Sequence, residues 1–243
     1  FDVGQGDAIL ISCQGQHMLV DAGLDKTSDK LVAFLEGRGI TRLDWVVATH
    51  PHADHIGGMA AVLGAFEVGT FIMPEAVHTT KTFENMLDAL EANGCAAQYG
   101  SAGEVYTLGG ATLTALAPPA GELTGNALHH APLVLSVEFD GVGVLLTGDA
   151  EAEVEAALVA DGIGRYDLLK LGHHGSRSSS TADFLAAVAP AHTIICCGAG
   201  NDYGHPHEEV LERIEGTGVW RTDLNGNVTA TIEEGVLHVS AQR

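Results

Sequence analysis

Three imidazoles and one carboxylate fall within six residues, in the run His50-Pro51-His52-Ala53-Asp54-His55. Nitrogen and oxygen donors mixed in this way suit zinc or a similar divalent ion. The spacing carries geometry as well as chemistry. In an extended segment His50 and His52 leave on the same side, while Asp54 and His55, at the start of a helix, turn toward a different point. A catalytic zinc must keep one coordination position open, so four ligands on one ion leave no room for reaction. Two ions account better for the pattern, and the chemistry that follows is hydrolysis of a carbonyl or phosphoryl group by a metal-activated water.

The elements that must position these residues can be read from apolar periodicity. Leu43 to Thr49 reads as a buried strand, and Asp54 through Gly58 opens a helix carrying Met59, Val62 and Leu63, so the cluster sits at a strand-to-helix junction. Ahead of it, Ala8 to Ser12 and His17 to Asp21 flank Gln14-Gly15-Gln16 as a hairpin, and a helix is expected over 26–38. Strands are expected over 68–73, 96–99, 105–108 and 111–116, with a helix over 82–93 and a loop from Pro118 to Asn126. Leu133 to Phe139 and Val142 to Thr147 form a second hairpin across Asp140-Gly141, followed by a helix over 151–160. Later strands are expected over 167–170, 193–196, 219–221, 227–232 and 236–240.

The two hairpins resemble each other. Met18-Leu19-Val20-Asp21-Ala22 and Leu145-Leu146-Thr147-Gly148-Asp149-Ala150 each end a strand with an acidic residue ahead of a helix. We read a diverged internal duplication within one domain over 1–243, its αβ halves spanning roughly 1–125 and 126–243. If the halves pack sheet to sheet, the loops at their matching strand ends meet along one edge, and a site forms between them.

Composition sets the outer bounds. With 243 residues and 46% hydrophobic content the chain can bury a large core. Its apolar runs are far shorter than the roughly 20 residues needed to cross a bilayer. The sequence starts at Phe1 without an initiator Met or a signal region, which reads as a processed, trimmed or excised chain. Cys13, Cys95, Cys196 and Cys197 show no CxxC spacing and are expected as buried thiols. A formal charge of −21 disfavours polyanionic partners at long range without excluding them, because metal ions or a local patch can reverse the field.

The HxHxDH run, continued by Ile56-Gly57-Gly58, resembles the signature of the metallo-β-lactamase superfamily. More narrowly, the chain is similar to the C-terminal hydrolase domain of ComEC competence proteins and to the related phosphorylcholine esterases. The matching segments are Asp2-Val3-Gly4-Gln5-Gly6-Asp7, Val20-Asp21-Ala22-Gly23, Leu146-Thr147-Gly148-Asp149, Gly172-His173-His174-Gly175-Ser176 and Asn201-Asp202-Tyr203-Gly204-His205-Pro206. The resemblance implies a four-layer αββα sandwich with its metal site at one edge of the sheets. It implies that His50 and His52 bind a first ion, that Asp54 and His55 bind a second, and that Asp149 bridges both. A further ligand is expected from His173 or His174, where His174 is preferred and His173 becomes an orienting or proton-transferring group. A third histidine for the first ion is not fixed by the resemblance; His129 and His130 are available, and His130 is preferred.

Asp54 and Asp149 would offset part of the metal charge, and His173 or His205 would protonate the departing oxygen. His205 is alternatively a substrate-binding group. Ser176, with Arg177 and the serines that follow, is a further candidate for substrate contact. Asp21 either orients a ligand histidine or serves as a turn carboxylate. Gly4, Gly6 and Asp7 are expected to shape a tight loop, and His17, His78, His192, His207 and His238 to be surface or packing residues.

The expected cofactors are two divalent ions, zinc or manganese, and the expected substrate is a small phosphodiester or single-stranded DNA. Hydrolysis of a β-lactam or another acyl group is the rival reaction. A redox di-iron domain or a silent metal-binding interaction domain are the non-hydrolytic rivals, although di-iron relatives carry a carboxylate where His52 stands. ComEC relatives also carry a membrane channel, which would place the domain outside the cytoplasm, whereas a free-standing enzyme would be cytoplasmic.

Overall fold

Alternation along the strands decides which layer each side chain joins. The computed structural model describes residues 1–76, 78–120 and 132–243. In β2 (Gln16–Val20), Met18 and Val20 face one apolar cluster and Leu19 another. The same split separates Val46 from Val47 in β3 (Arg42–Val47) and Phe71 from Ile72 in β4 (Glu67–Met73). A period of two in a strand buried on both faces therefore feeds two cores at once.

With β1 (Ile9–Cys13) and β5 (Ala97–Tyr99), these strands form a five-stranded sheet in the order β1-β2-β3-β4-β5. The β1–β2 pair is antiparallel and the remaining neighbours are parallel. The second sheet has seven strands: β6 (Val105–Leu108), β7 (Ala111–Ala117), β8 (Val134–Phe139), β9 (Val142–Leu146), β10 (Leu168–Lys170), β11 (His192–Ile195) and β12 (Gly218–Arg221). Its order is β12-β11-β10-β9-β8-β7-β6, parallel from β9 to β12. The inner faces meet where Met18, Val20, Val47 and Ile72 pack with Leu113, Leu135, Val137 and Leu146.

Helices cover both outer faces. α1 (Ser28–Glu36), α3 (Met59–Ala65) and α4 (Lys81–Asn93) bury Leu31, Leu35, Met59, Val62 and Met86 against the first sheet, while the short α2 (Ala53–Ile56) carries the histidine motif. α5 (Ala152–Ala160), α6 (Ala182–Val188) and α7 (Glu208–Arg213) cover the second sheet with Leu158, Phe184, Leu185 and Val210. The result is the expected four-layer αββα order. A short α8 (Thr222–Asn225) then leads into a separate hairpin of β13 (Val228–Glu233) and β14 (Val236–Ala241). Among the described residues no helix is long and apolar enough to cross a membrane.

Several expectations shift. β6 and β7 pair into the second sheet, so the chain changes sheets between Tyr99 and Val105, ahead of the divide drawn near residue 125. The helix expected onward from Asp54 is broken between α2 and α3 at Gly57-Gly58, where a Cβ on Gly58 would collide with the Ala22 carbonyl. Of the four cysteines, all free, Cys196 and Cys197 are buried as expected, but Cys13 and Cys95 are only half-buried.

Candidate metal centre

Parallel strands deliver their carboxyl ends to one edge of the sandwich, the usual place for a site in α/β sheets. β2 ends at Val20 and hands over to Asp21, a non-glycine residue in the left-handed region at φ 58°. Its carboxylate accepts from the Thr49 amide at 2.8 Å and the Thr49 hydroxyl at 2.7 Å, and lies 2.7 Å from His55 Nδ1. With Nδ1 so engaged, the Nε2 of His55 faces the edge. The neighbouring strand end, after β3, presents His50, whose Nε2 lies 3.0 Å from His52 Nδ1.

The second sheet answers from β9 and β10. Asp149 follows β9, and His173 and His174 follow β10 as consecutive left-handed residues at φ 47° and 56°, a costly backbone for side chains with a Cβ. His174 Nδ1 is held 2.9 Å from the Cys196 carbonyl, which turns Nε2 toward Asp149. Asp149 faces both ways: Oδ1 lies 3.2 Å from His55 Nε2 and 3.5 Å from His174 Nε2, while Oδ2 lies 3.5 Å from His50 Nε2 and 3.6 Å from His173 Nε2.

Two donor sets result, and Asp149 belongs to each. Asp7, His55, Asp149 and His174 offer donor atoms within 4.8 Å of one another, as do His50, His52 and Asp149. The charges are consistent with a cation between them. Burial alone would push the Asp149 carboxyl up, but His55, His174 and His50 reverse this and hold it well below the usual carboxylate range. Burial would push His55 and His174 down, yet Asp149 and the other carboxylates raise both, His174 to about 9. Protons on these rings thus occupy the role a divalent ion would take. Asp7 Oδ1 and Asp149 Oδ1 are buried without a well-formed hydrogen bond and are offset only by ion-pair contacts of 3.2–3.5 Å to the imidazoles of His55 and His174, a role a cation would take over. The residues fit a pair of divalent ions.

Asp7 is the donor that reading the sequence missed. Gly6 brings it in: a Cβ there would strike the Asp54 carbonyl, which accepts from the Asp7 amide at 3.2 Å. Buried Lys170 pairs with the Asp7 carboxylate and donates to the Gly148 carbonyl at 3.0 Å. Burial pushes Asp7 up and Lys170, then His174, more than offsets this, so Asp7 stays ionised. Asp54, expected alongside His55, stands at the margin of that set with Oδ2 3.3 Å from His174 Nε2. His129 and His130 lie outside the described residues.

A cleft of about 340 Å³ opens over the centre, lined by His52, Asp54, Asp149, His173, His174 and His205 among others. His173 is a third exposed; its Nδ1 is 3.1 Å from Glu151 Oε1, which also accepts from the Ser178 hydroxyl at 2.8 Å. His205 is shifted down to about 4 by burial and then by His173 and His174. His78, expected at the surface or in packing, lines this cleft with Thr80. Ser176 does not: it is buried, with its hydroxyl 2.9 Å from that of Ser178, because the turn after His174 points it inward. A somewhat larger apolar cavity of about 380 Å³ lies between β1 and the second sheet, walled by side chains such as Ile11, Val137 and Leu237. No histidine is among the described residues that line it, and the donor sets open onto the smaller cleft.

Comparison with known proteins agrees with this geometry. The sequence profile described as Metallo-beta-lactamase superfamily matches residues 1–199. ComE operon protein 3 of Bacillus subtilis is 31% identical over 93% of this chain and 32% of its own length. Competence protein ComA of Neisseria gonorrhoeae is 32% identical over 100% of this chain and 33% of its own. Both are ComEC-family proteins, and the chain spans about a third of their length. Among solved structures, the metallo-beta-lactamase fold protein YhfI from Bacillus subtilis superposes with a TM-score of 0.61 over 97% of this chain and 92% of its own, at 12% identity, a likeness of fold. Because the profile runs through every donor from Asp7 to His174 and the layers match as well, the chain belongs to the metallo-β-lactamase superfamily.

Proposed function

We propose that this domain is a two-metal hydrolase of phosphodiesters, acting on single-stranded nucleic acid or on a smaller phosphodiester. One observation carries the reading: the two carboxylate oxygens of Asp149 face two different donor sets, the arrangement that a pair of bridged ions requires. Kinship with proteins named for competence favours a phosphodiester over an acyl substrate.

Divalent ions bound there, zinc or manganese, would activate a water near neutral pH and offset charge developing on the attacked group. The protein's own part is positional. Asp21 and the Cys196 carbonyl fix the ring orientations of His55 and His174, and Asp149 sets the spacing between the donor sets. Asp54 adds negative charge at the cleft wall, where burial would raise its carboxyl and the nearby His174 and His55 hold it low and ionised. His173, anchored through Nδ1 by Glu151, presents Nε2 to the cleft and delivers a proton to the departing oxygen. His205 is neutral near pH 7, so it serves as a hydrogen-bonding contact to substrate rather than as a cation.

The test compares bis-p-nitrophenyl phosphate, single-stranded DNA and a chromogenic cephalosporin, each with zinc and with manganese. Turnover of the two phosphodiesters, lost in Asp149→Ala with the circular dichroism spectrum retained, supports the proposal. Cephalosporin turnover exceeding that of both phosphodiesters, or near-native activity in Asp149→Ala, overturns it.

A further inference from the structure

The loop after β11 builds a feature that metal chemistry does not need. Its organiser is Asn201, whose Nδ2 donates to the Gly198 carbonyl at 2.8 Å and the His205 carbonyl at 2.6 Å. Its Oδ1 accepts from the amides of Tyr203 at 3.1 Å and His205 at 3.0 Å. At the root of the loop the Gly198 amide donates to Gln5 Oε1 at 3.1 Å, tying it to the segment that carries Asp7. A loop closed by so many bonds to one side chain holds its other side chains in place.

What it holds out is Tyr203. Its ring stacks on His205 with centroids 5.6 Å apart and planes 24° apart, and His205 in turn meets His173 at 5.7 Å. Tyr203 remains 65% exposed, yet it lines the same cleft as Asp149 and His173. Single exposed aromatic residues are ordinary on a protein surface. This one is fixed at the mouth of the centre, one ring away from the expected proton donor.

The cleft's charge explains why a flat ring would matter. No lysine or arginine is among the described residues that line it, and the chain's net charge is −21. Coulombic attraction to a phosphate backbone, the usual source of affinity for nucleic acid, is therefore not supplied by the described side chains that line the cleft. Stacking between a base and an aromatic ring does not depend on that charge and tolerates any base.

We propose that Tyr203 is a stacking platform for an unpaired nucleobase next to the scissile phosphate, making the substrate a nucleotide phosphodiester rather than a simple alkyl one. The inference rests on the phosphodiesterase reading and narrows it. A base stacked inside a duplex cannot offer its face to the ring, so the platform favours single strands and frayed ends over duplex interiors.

The metal-loaded protein is assayed on thymidine 5′-(p-nitrophenyl phosphate) and on methyl p-nitrophenyl phosphate, which share a leaving group and differ by the nucleoside. We expect Tyr203→Ala to reduce the ratio of kcat/KM for the thymidine ester over the methyl ester about tenfold, and Tyr203→Phe to preserve it. Binding is read separately, without turnover, from fluorescence quenching of a phosphorothioate-linked trinucleotide containing 2-aminopurine. Its Kd should weaken about tenfold in Tyr203→Ala and hold in Tyr203→Phe. An unchanged ratio in Tyr203→Ala together with an unchanged Kd overturns the platform and leaves the hydrolase reading intact. If the wild-type protein hydrolyses neither ester, the phosphodiesterase reading falls, and the 2-aminopurine titration still decides whether the ring takes a base.

Discussion

The two donor sets that share Asp149 differ in burial and in support. In the first, Asp7, His55, Asp149 and His174 are all buried, and three of them are braced from behind: Asp7 by Lys170, His55 by Asp21 and His174 by the Cys196 carbonyl. In the second, His50 is buried and hydrogen-bonded to the Thr49 hydroxyl at 3.1 Å, but His52 is half-exposed to the cleft, and burial followed by the proximity of His50 brings it down to about 4. The first set is built before any ion arrives, since its rings and carboxylates have few other places to go. The second meets solvent and substrate. Preorganised donors favour tight binding, and an open position favours exchange of ligands, so the two ions should be held unequally.

Removing the shared donor should have the largest effect. Asp149→Ala takes a ligand from both sets and leaves His55 and His174 without their principal counter-charge. Turnover on bis-p-nitrophenyl phosphate should fall by more than about a thousandfold, and bound metal should drop in both sets. Retention of two equivalents by elemental analysis would break the bridging geometry. The inequality itself is sharpened by comparing His174→Ala with His52→Ala in a chelator competition: the first should lose the tightly held equivalent, the second should keep it and lose the weak one. A weaker perturbation of the same brace, Asp21→Asn, should lower affinity for the tight ion about ten- to a hundredfold, measured in the same competition.

The contrast between the sets also explains what could be read from the chain. His50, His52, Asp54 and His55 stand out because a strand end and a helix start compress them into one stretch of sequence, whereas Asp149 enters through the resemblance of Leu146-Thr147-Gly148-Asp149 to the family, its repeated hairpin showing only an acidic residue at a strand end. Asp7 does not stand out, although its segment is part of the same resemblance. Its place depends on the loop folding onto the Asp54 carbonyl and on Lys170 arriving from the second sheet. Glu151 read only as the start of a helix, and His78 only as a surface or packing residue, because lining a cleft is set by how loops from different strands converge. Which sheet takes β6 and β7 is hidden for the same reason: their apolar alternation is the same whichever sheet accepts them, and the partner β8 lies further along the chain. Local periodicity fixes an element's faces; long-range pairing decides whose neighbour it is.

Acidity offers a further way to separate a braced set from an open one. Without metal, His174 titrates at about 9 against an ordinary 6.5, because the pull of Asp149, Asp54 and Asp7 outweighs burial. A raised imidazole contributes stability that is complete below about pH 6.5 and disappears as pH climbs through about 9. The chelated protein should therefore lose melting temperature between those values. With ions bound the ring is neutral and its charge partner is the metal, so the loss should vanish. Thermal melts at pH 6.5 and 9, with and without chelator, make the comparison, and an equal decline in both forms would sink it.

The smallest expected effect isolates proton transfer from metal binding. Glu151 Oε1 holds the Nδ1 of His173 and accepts from the Ser178 hydroxyl, but Glu151 is in neither donor set. Glu151→Gln keeps the shape and can still accept from the His173 Nδ1, but replaces a carboxylate acceptor with a neutral amide oxygen. Metal content should therefore be unchanged, and kcat should fall about tenfold with little change in KM, since general acid help acts in the transition state rather than in binding. The loss should shrink for a substrate whose leaving group needs no proton, such as p-nitrophenolate, and be larger for an alkoxide leaving group. If Glu151→Gln slowed both substrates equally, His173 would be holding the cleft's shape rather than moving a proton, and the difference between the two sets would be one of metal binding alone.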